Sequence, residues 1–154
     1  MFQPEQIHEF IVQTCQALES EPREAELVAD QLVAANLAGH DSHGVGMLPS
    51  YVDGVVNGRL AVNSHPTVVV DGGSLLTLDG NAGYGQVNGY EAMSMGMERA
   101  ADNGVAVVGL RNSYHIGRIG HQRLKMNPGT NSAILPAFHP RPGPNFVRSE
   151  PPHV

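Results

Sequence analysis

The chain has 154 residues, a formal net charge of −6 and a single cysteine, a size that suits one domain of ordinary dimensions. The acidic balance, with Lys125 as the only lysine and no basic run, excludes nucleic acid and an anionic membrane as main partners, and no apolar run approaches the ~20 residues of a membrane span. Cys15 has no second cysteine to pair with, and the N-terminus lacks the basic and apolar regions of a signal peptide, so a cytoplasmic protein is expected.

Residues 4–19 predict a helix. Pro4 suits the first turn, Glu5 favours the positive end of the dipole, and Ile7, Phe10, Ile11, Cys15 and Leu18 form one apolar stripe. Cys15 therefore reads as core. Ser20 is the expected cap of a second helix with Pro22 in its first turn and Leu27, Val28, Leu32 and Ala35 on its apolar face, ending near Gly39. A loop follows, Gly39-His40-Asp41-Ser42-His43-Gly44. Residues 49–58 fit a short amphipathic helix stopped by Asn57-Gly58.

After Pro66 the pattern becomes extended. Residues 67–71 and 75–79 are β-prone and joined by Gly72-Gly73-Ser74, which predicts a hairpin. Gly83-Tyr84-Gly85 opens a helix over roughly 85–103, ended by Asn103-Gly104, with Met93, Met95 and Met97 expected to fill core gaps. Residues 105–110 are continuously apolar, as expected of a buried strand. The second histidine loop, Asn112-Ser113-Tyr114-His115-Ile116-Gly117, follows at its carboxyl end, where α/β proteins usually place their chemistry.

Imidazole titrates nearest neutrality, so two such loops suggest proton transfer. Ser42 could orient a ring or bond a ligand oxygen, and His43 and His115 could act as acid or base. Each has a plainer alternative. His40 and His43 could satisfy carbonyls at a helix end, and His115 could tether its loop to the backbone. No metal is expected, because eight histidines show no spacing such as His-Glu-x-x-His. The acidic residues form no evident dyad. Gly83-x-Gly85-x-x-x-Gly89 misses the dinucleotide-loop spacing by one residue and reads better as a glycine-rich helix entry.

Three segments nevertheless stand in a telling order: Gly39-His-Asp-Ser-His-Gly-Val-Gly-Met-Leu-Pro-Ser-Tyr51, Asp79-Gly-Asn-Ala-Gly-Tyr-Gly-Gln86 and Gly104-Val-Ala-Val-Val-Gly-Leu-Arg-Asn-Ser-Tyr-His-Ile-Gly117. Together they resemble the malate/L-lactate dehydrogenase type 2 family, NAD(P)-dependent 2-hydroxyacid and 2-oxoacid oxidoreductases distinct from the Rossmann-fold lactate dehydrogenases. The resemblance runs to about residue 121. It implies amino-terminal helices followed by the start of a mixed, non-Rossmann α/β domain. It also implies NAD or NADP as cofactor, a small 2-hydroxy or 2-oxo acid as substrate, and a homodimer. A hydride passes between the substrate's C2 and the nicotinamide C4 while a histidine moves the hydroxyl proton. The family's acid/base histidines align with His43 and His115, and its pocket serine aligns with Ser42; no cofactor-binding residue is assigned. Many members carry an arginine at the position of Met47 to hold the substrate carboxylate. Met47 cannot do so, which leaves Arg118 as the alternative cation.

The chain thus divides into a helical region (1–62), part of an α/β domain (63–121) and a proline-rich tail (122–154). The tail holds seven of the eleven prolines and four of the nine basic residues, and no stable structure is expected in it. Family members are far longer, and their cofactor-binding segments lie mostly beyond the equivalent of residue 121. A shift of reading frame from Pro128 onward allows Trp-His-Glu-Gln-Cys-Asp-Phe-Ala-Gly-Phe, which is similar to the family's continuation, and the gene's codons decide that point. As it stands the chain is expected to be inactive. The alternative is a noncatalytic α/β fragment that binds a ligand or a full-length subunit.

Overall fold

The structure, a computed structural model, describes residues 3–118 and 137–139. Helix α1 spans Pro4–Ala17 and buries Ile11 and Cys15 from its apolar stripe. Helix α2 spans Pro22–Leu37. Its N-cap is Glu21 rather than the expected Ser20, because Pro22 takes the first helical position and holds the residue before it extended. Two single 3-10 turns, Asp41–His43 and Val45–Met47, lead into α3, Leu48–Val56.

Strands β1, Thr67–Gly72, and β2, Leu75–Asp79, form the expected antiparallel hairpin around Gly73-Ser74, with Gly73 at φ +70. Helix α4, Gly85–Asn103, ends on Gly104 in the left-handed region, and β3, Val107–Arg111, then runs parallel to β2. A fourth strand, β4 at Ala137–His139, pairs in parallel with β3. These three residues qualify the expectation of an unstructured tail: they lie between Pro136 and Pro140, and none of them is a proline that would break the ladder. The rest of the tail lies outside the described residues.

The core has two parts. Ile11, Cys15, Val28, Leu32, Tyr51, Tyr84 and Val87 belong to the first, so the opening turn of α4 packs into the helical region. Leu76, Leu78, Val108 and Leu110 form the second, against Ala92 of α4. Small residues bring α4 close to its neighbours: Gly89, Ala92, Gly96 and Ala100 are buried, whereas the three methionines are only partly so. Strand β3 corrects the expectation of a fully buried run. Val108 and Leu110 are buried, but Val105 and Val107 are more than half exposed, since among the described residues helices cover one face of the sheet only. Among those residues, no helix is long and apolar enough to cross a membrane. Burial pushes the Cys15 thiol up to about 11, which keeps it a protonated core group.

Candidate functional site

The first histidine loop is shaped from α2. Backbone N–H groups of Ala38, Gly39 and His40 donate to the carbonyls of Ala34, Asn36 and Ala35, so the helix end is closed without any imidazole. That removes the plainer reading of His40 and His43. Asn36 then holds the turn from beneath: its Oδ1 accepts from the Val45 N–H at 2.7 Å, and its Nδ2 donates to Asp41 Oδ1 at 2.6 Å. Gly44 lies so close to this amide that a Cβ would collide with it.

The second loop rests on the glycine-rich segment. Gly80 N–H donates to Arg111 O, Ala82 N–H to Asn112 O, and Tyr114 N–H to Gly83 O, each within 2.9 Å. Asn88, fully buried in α4, adds a bond from Nδ2 to Gly80 O at 2.7 Å and another to Ser113 Oγ at 3.3 Å. Asp79 accepts from the side chains of Asn112 and Arg111 and from the Asn81 N–H. Burial works to raise its carboxyl, but these bonds outweigh it and hold the group below its usual range. Gly85 lies directly under the His115 and Ile116 backbone. The glycines therefore serve close packing of a protein loop, consistent with a helix entry rather than a dinucleotide cradle.

These two supports bring together residues 72 apart in sequence. His43 Nδ1 lies 3.0 Å from His115 Nε2, with the rings 15° from parallel and their centroids 5.2 Å apart. His115 Nδ1 lies 2.8 Å from Tyr51 OH, and Gln86 Nε2 donates to that hydroxyl at 2.5 Å. Both ring nitrogens of His115 thus meet side chains, so its reading as a backbone tether is corrected too. Tyr51 and Gln86 are fully buried, and both histidines are partly exposed. Burial pushes the Tyr51 phenol well up from its ordinary value, with the Gln86 bond opposing in part, so it stays a neutral hydroxyl. Burial also holds His115 below the ordinary 6.5, and the neighbouring His43 adds to this.

Ser42 sits exposed on the turn beside His43 and hydrogen-bonds to neither ring among the described residues. Met47 packs against the first core, and Arg118 is partly exposed three residues beyond His115. Among the described residues no three His, Cys, Asp or Glu side chains gather to hold a metal. Sequence reasoning assigned no role to Tyr51 or Gln86. The available signal was positional, since each closes one of the three ordered motifs.

The His115 shift has a consequence for stability. A histidine held below its unfolded value binds protons less readily in the folded state, so its contribution is complete above 6.5 and is lost as pH falls through that value. Asp79 acts with the same sign but only below 3.8, and Glu24, raised by burial, acts with the opposite sign above 4.5. Because Glu24 opposes His115 in the window from neutral pH to about 5, the His115 part is read as a difference: the urea midpoint of His115→Gln should fall less with pH there than that of the wild type. A slope unchanged in the variant would assign it elsewhere.

Comparison with known proteins adds a second line. A family model described as malate/L-lactate dehydrogenase matches residues 2–127. Hydroxycarboxylate dehydrogenase B of Escherichia coli strain K12 is 51% identical over 120 residues, 78% of this chain and 33% of that protein. Malate dehydrogenase of Pyrococcus abyssi is 39% identical over 122 residues, with the same shares covered. Among solved structures, a malate/lactate dehydrogenase from E. coli superimposes with a TM-score of 0.76 at 50% identity, over 79% of this chain and 34% of that one. Malate dehydrogenase from Pyrococcus horikoshii does so with a TM-score of 0.75 at 38% identity, over 79% and 35%. The chain spans about a third of the length of the curated relatives it matches.

Proposed function

Because the chain belongs to the malate/L-lactate dehydrogenase family, we propose that its histidine pair is the proton-transfer half of a 2-hydroxyacid/2-oxoacid oxidoreductase of the NAD(P)-dependent kind. The observation that carries this reading is the 3.0 Å contact between His43 and His115, two partly exposed imidazoles on separately braced loops. His43 exchanges a proton with the substrate oxygen, His115 passes the proton to and from it across their 3.0 Å contact, Ser42 bonds a ligand oxygen from the adjoining turn, and Arg118 stands in for the carboxylate-binding cation that Met47 cannot provide.

A nicotinamide cofactor, when bound, supplies the hydride acceptor or donor for the substrate's C2. The described residues do not fit one by themselves. A Cβ at Gly85 would strike the His115 loop and one at Gly83 would strike the carbonyl of Ser64, so the cradle-like segment is already filled by protein. The chain alone is expected not to turn over.

The test uses the purified 154-residue chain. Titration with pyruvate or oxaloacetate should shift the ring resonances of His43 and His115 saturably, while NADH and NADPH absorbance stays constant. Unmoved resonances would remove the acid/base reading, and steady consumption of either nucleotide would remove the inactivity. The exposed apolar residues Val70, Leu75 and Val107 on the sheet favour a second, noncatalytic reading, in which this chain pairs with a full-length copy. Co-elution with an intact relative in size-exclusion chromatography carries that reading; separate elution removes it.

A further inference from the structure

The geometry points to Gln86 and Tyr51 as positioning residues that decide which nitrogen of each histidine carries its proton. The two histidines are the exposed end of a chain of four side chains, Gln86, Tyr51, His115 and His43, with successive separations of 2.5, 2.8 and 3.0 Å. Its inner end is closed to water, since Gln86 and Tyr51 are both fully buried.

A chain of this kind has a polarity, and its inner end sets it. The Gln86 amide nitrogen can only donate, so the Tyr51 oxygen receives that bond as an acceptor. A phenol has one proton, and the remaining neighbour of the Tyr51 oxygen is His115 Nδ1, so the proton points there. Nδ1 of a neutral imidazole that accepts a bond is bare, which places the His115 proton on Nε2. That N–H donates to His43 Nδ1, and the His43 proton is accordingly on its own Nε2. Among the described residues nothing pairs with this last nitrogen. The neutral site therefore presents an N–H donor, the group that the carbonyl oxygen of a 2-oxo acid accepts.

Burial makes the polarity hard to reverse. Gln86 Oε1 has no hydrogen-bond partner among the described residues, and turning the chain around would put Nε2 in that buried place, with two N–H groups to satisfy where one carbonyl oxygen now stands. Gln86 is itself pinned: its backbone carbonyl accepts from Gln31 Nε2 at 3.3 Å, and its Cα is in the first turn of α4 beneath the His115 loop. Tyr51 is pinned by Tyr84 and Tyr114, whose rings meet it edge-on at 5.7 and 5.9 Å. Neither residue reaches the exposed end of the site, so both act through His115.

This inference deepens the acid/base reading proposed above, and its test uses neither substrate nor cofactor, so each can fail without the other. The full chain, labelled with 15N-histidine, is recorded by long-range proton–nitrogen correlation at a pH above the titration of both rings. The expected result is one fixed tautomer at each position, with Nδ1 bare and Nε2 protonated in both His43 and His115. A protonated Nδ1 at His115 would overturn the assignment. Gln86→Leu and Tyr51→Phe should each release His115 to averaged nitrogen shifts while its ring stays in place. If either variant folds and keeps the fixed tautomer, the positioning role of that residue is overturned; where one fails to fold, the wild-type spectrum and the other variant decide.

Discussion

Gly85→Ala should destabilise the chain and separate the two histidines, although alanine is the better helix former by about 1 kcal/mol. The reason is what lies above the first turn of α4. An added Cβ would collide with the carbonyl group of His115 and the Cα of Ile116, which are backbone atoms with no rotamer to change. Overpacking of this kind costs about 1–3 kcal/mol, which exceeds the helical gain. Relief can come only by lifting the His115 loop, and that breaks its bonds to the 80–83 turn. A lower urea midpoint with loss of the His43–His115 contact by NMR is the expected pair of results. Gly46→Ala is the control, because the atom nearest to its added Cβ, the Asp41 carbonyl oxygen, would sit at an ordinary 3.8 Å. A Gly85→Ala protein as stable as wild type would mean that the loop does not rest there.

Tyr51→Ala should be the most damaging single change, with a loss of about 3–5 kcal/mol, as for large aromatic truncations in well-packed cores. Tyr51 is fully buried, meets Tyr84 and Tyr114 edge-on, and forms part of the first core. Tyr51→Phe separates the two contributions. It keeps the ring but leaves the Gln86 amide and His115 Nδ1 without their shared hydroxyl, at a cost of about 1–3 kcal/mol. Chemical denaturation of the three proteins reads out both steps. Equal losses in the two variants would show that the hydroxyl matters more than the packing.

Three segments separated in sequence meet at one site. The first carries His43, Tyr51 and the turn that Asn36 braces. The second provides the bed, Gly80 to Gln86, on which the third lays His115. A glycine-rich stretch that resembles a nucleotide loop in one dimension is, in three, the seat of the His115 loop. The spacing could not distinguish these uses, because a glycine is equally suited to approach by a phosphate or by another backbone.

Local chemistry made much of the fold legible. Prolines at the first turns marked the starts of α1 and α2, Gly104 marked the end of α4, and the Gly73-Ser74 turn marked the hairpin; each rests on backbone preferences that need no distant partner. The exposed face of β3 was not legible in this way. Whether Val107 is covered depends on what packs over the sheet, and an apolar run reads the same with one face buried or two.

The histidine loops divide along the same line. The sequence by itself determined which residues could carry a proton, His43 and His115, and, through the order of three motifs, the family to which the chain belongs. Only the tertiary structure decided that these rings touch, that Tyr51 and Gln86 stand behind them, and that the glycine segment is filled by protein. The capacity to titrate belongs to a side chain and is written in its identity. The direction of a hydrogen bond, and the choice of what fills a glycine's open side, are properties of neighbours that the chain acquires only when it folds.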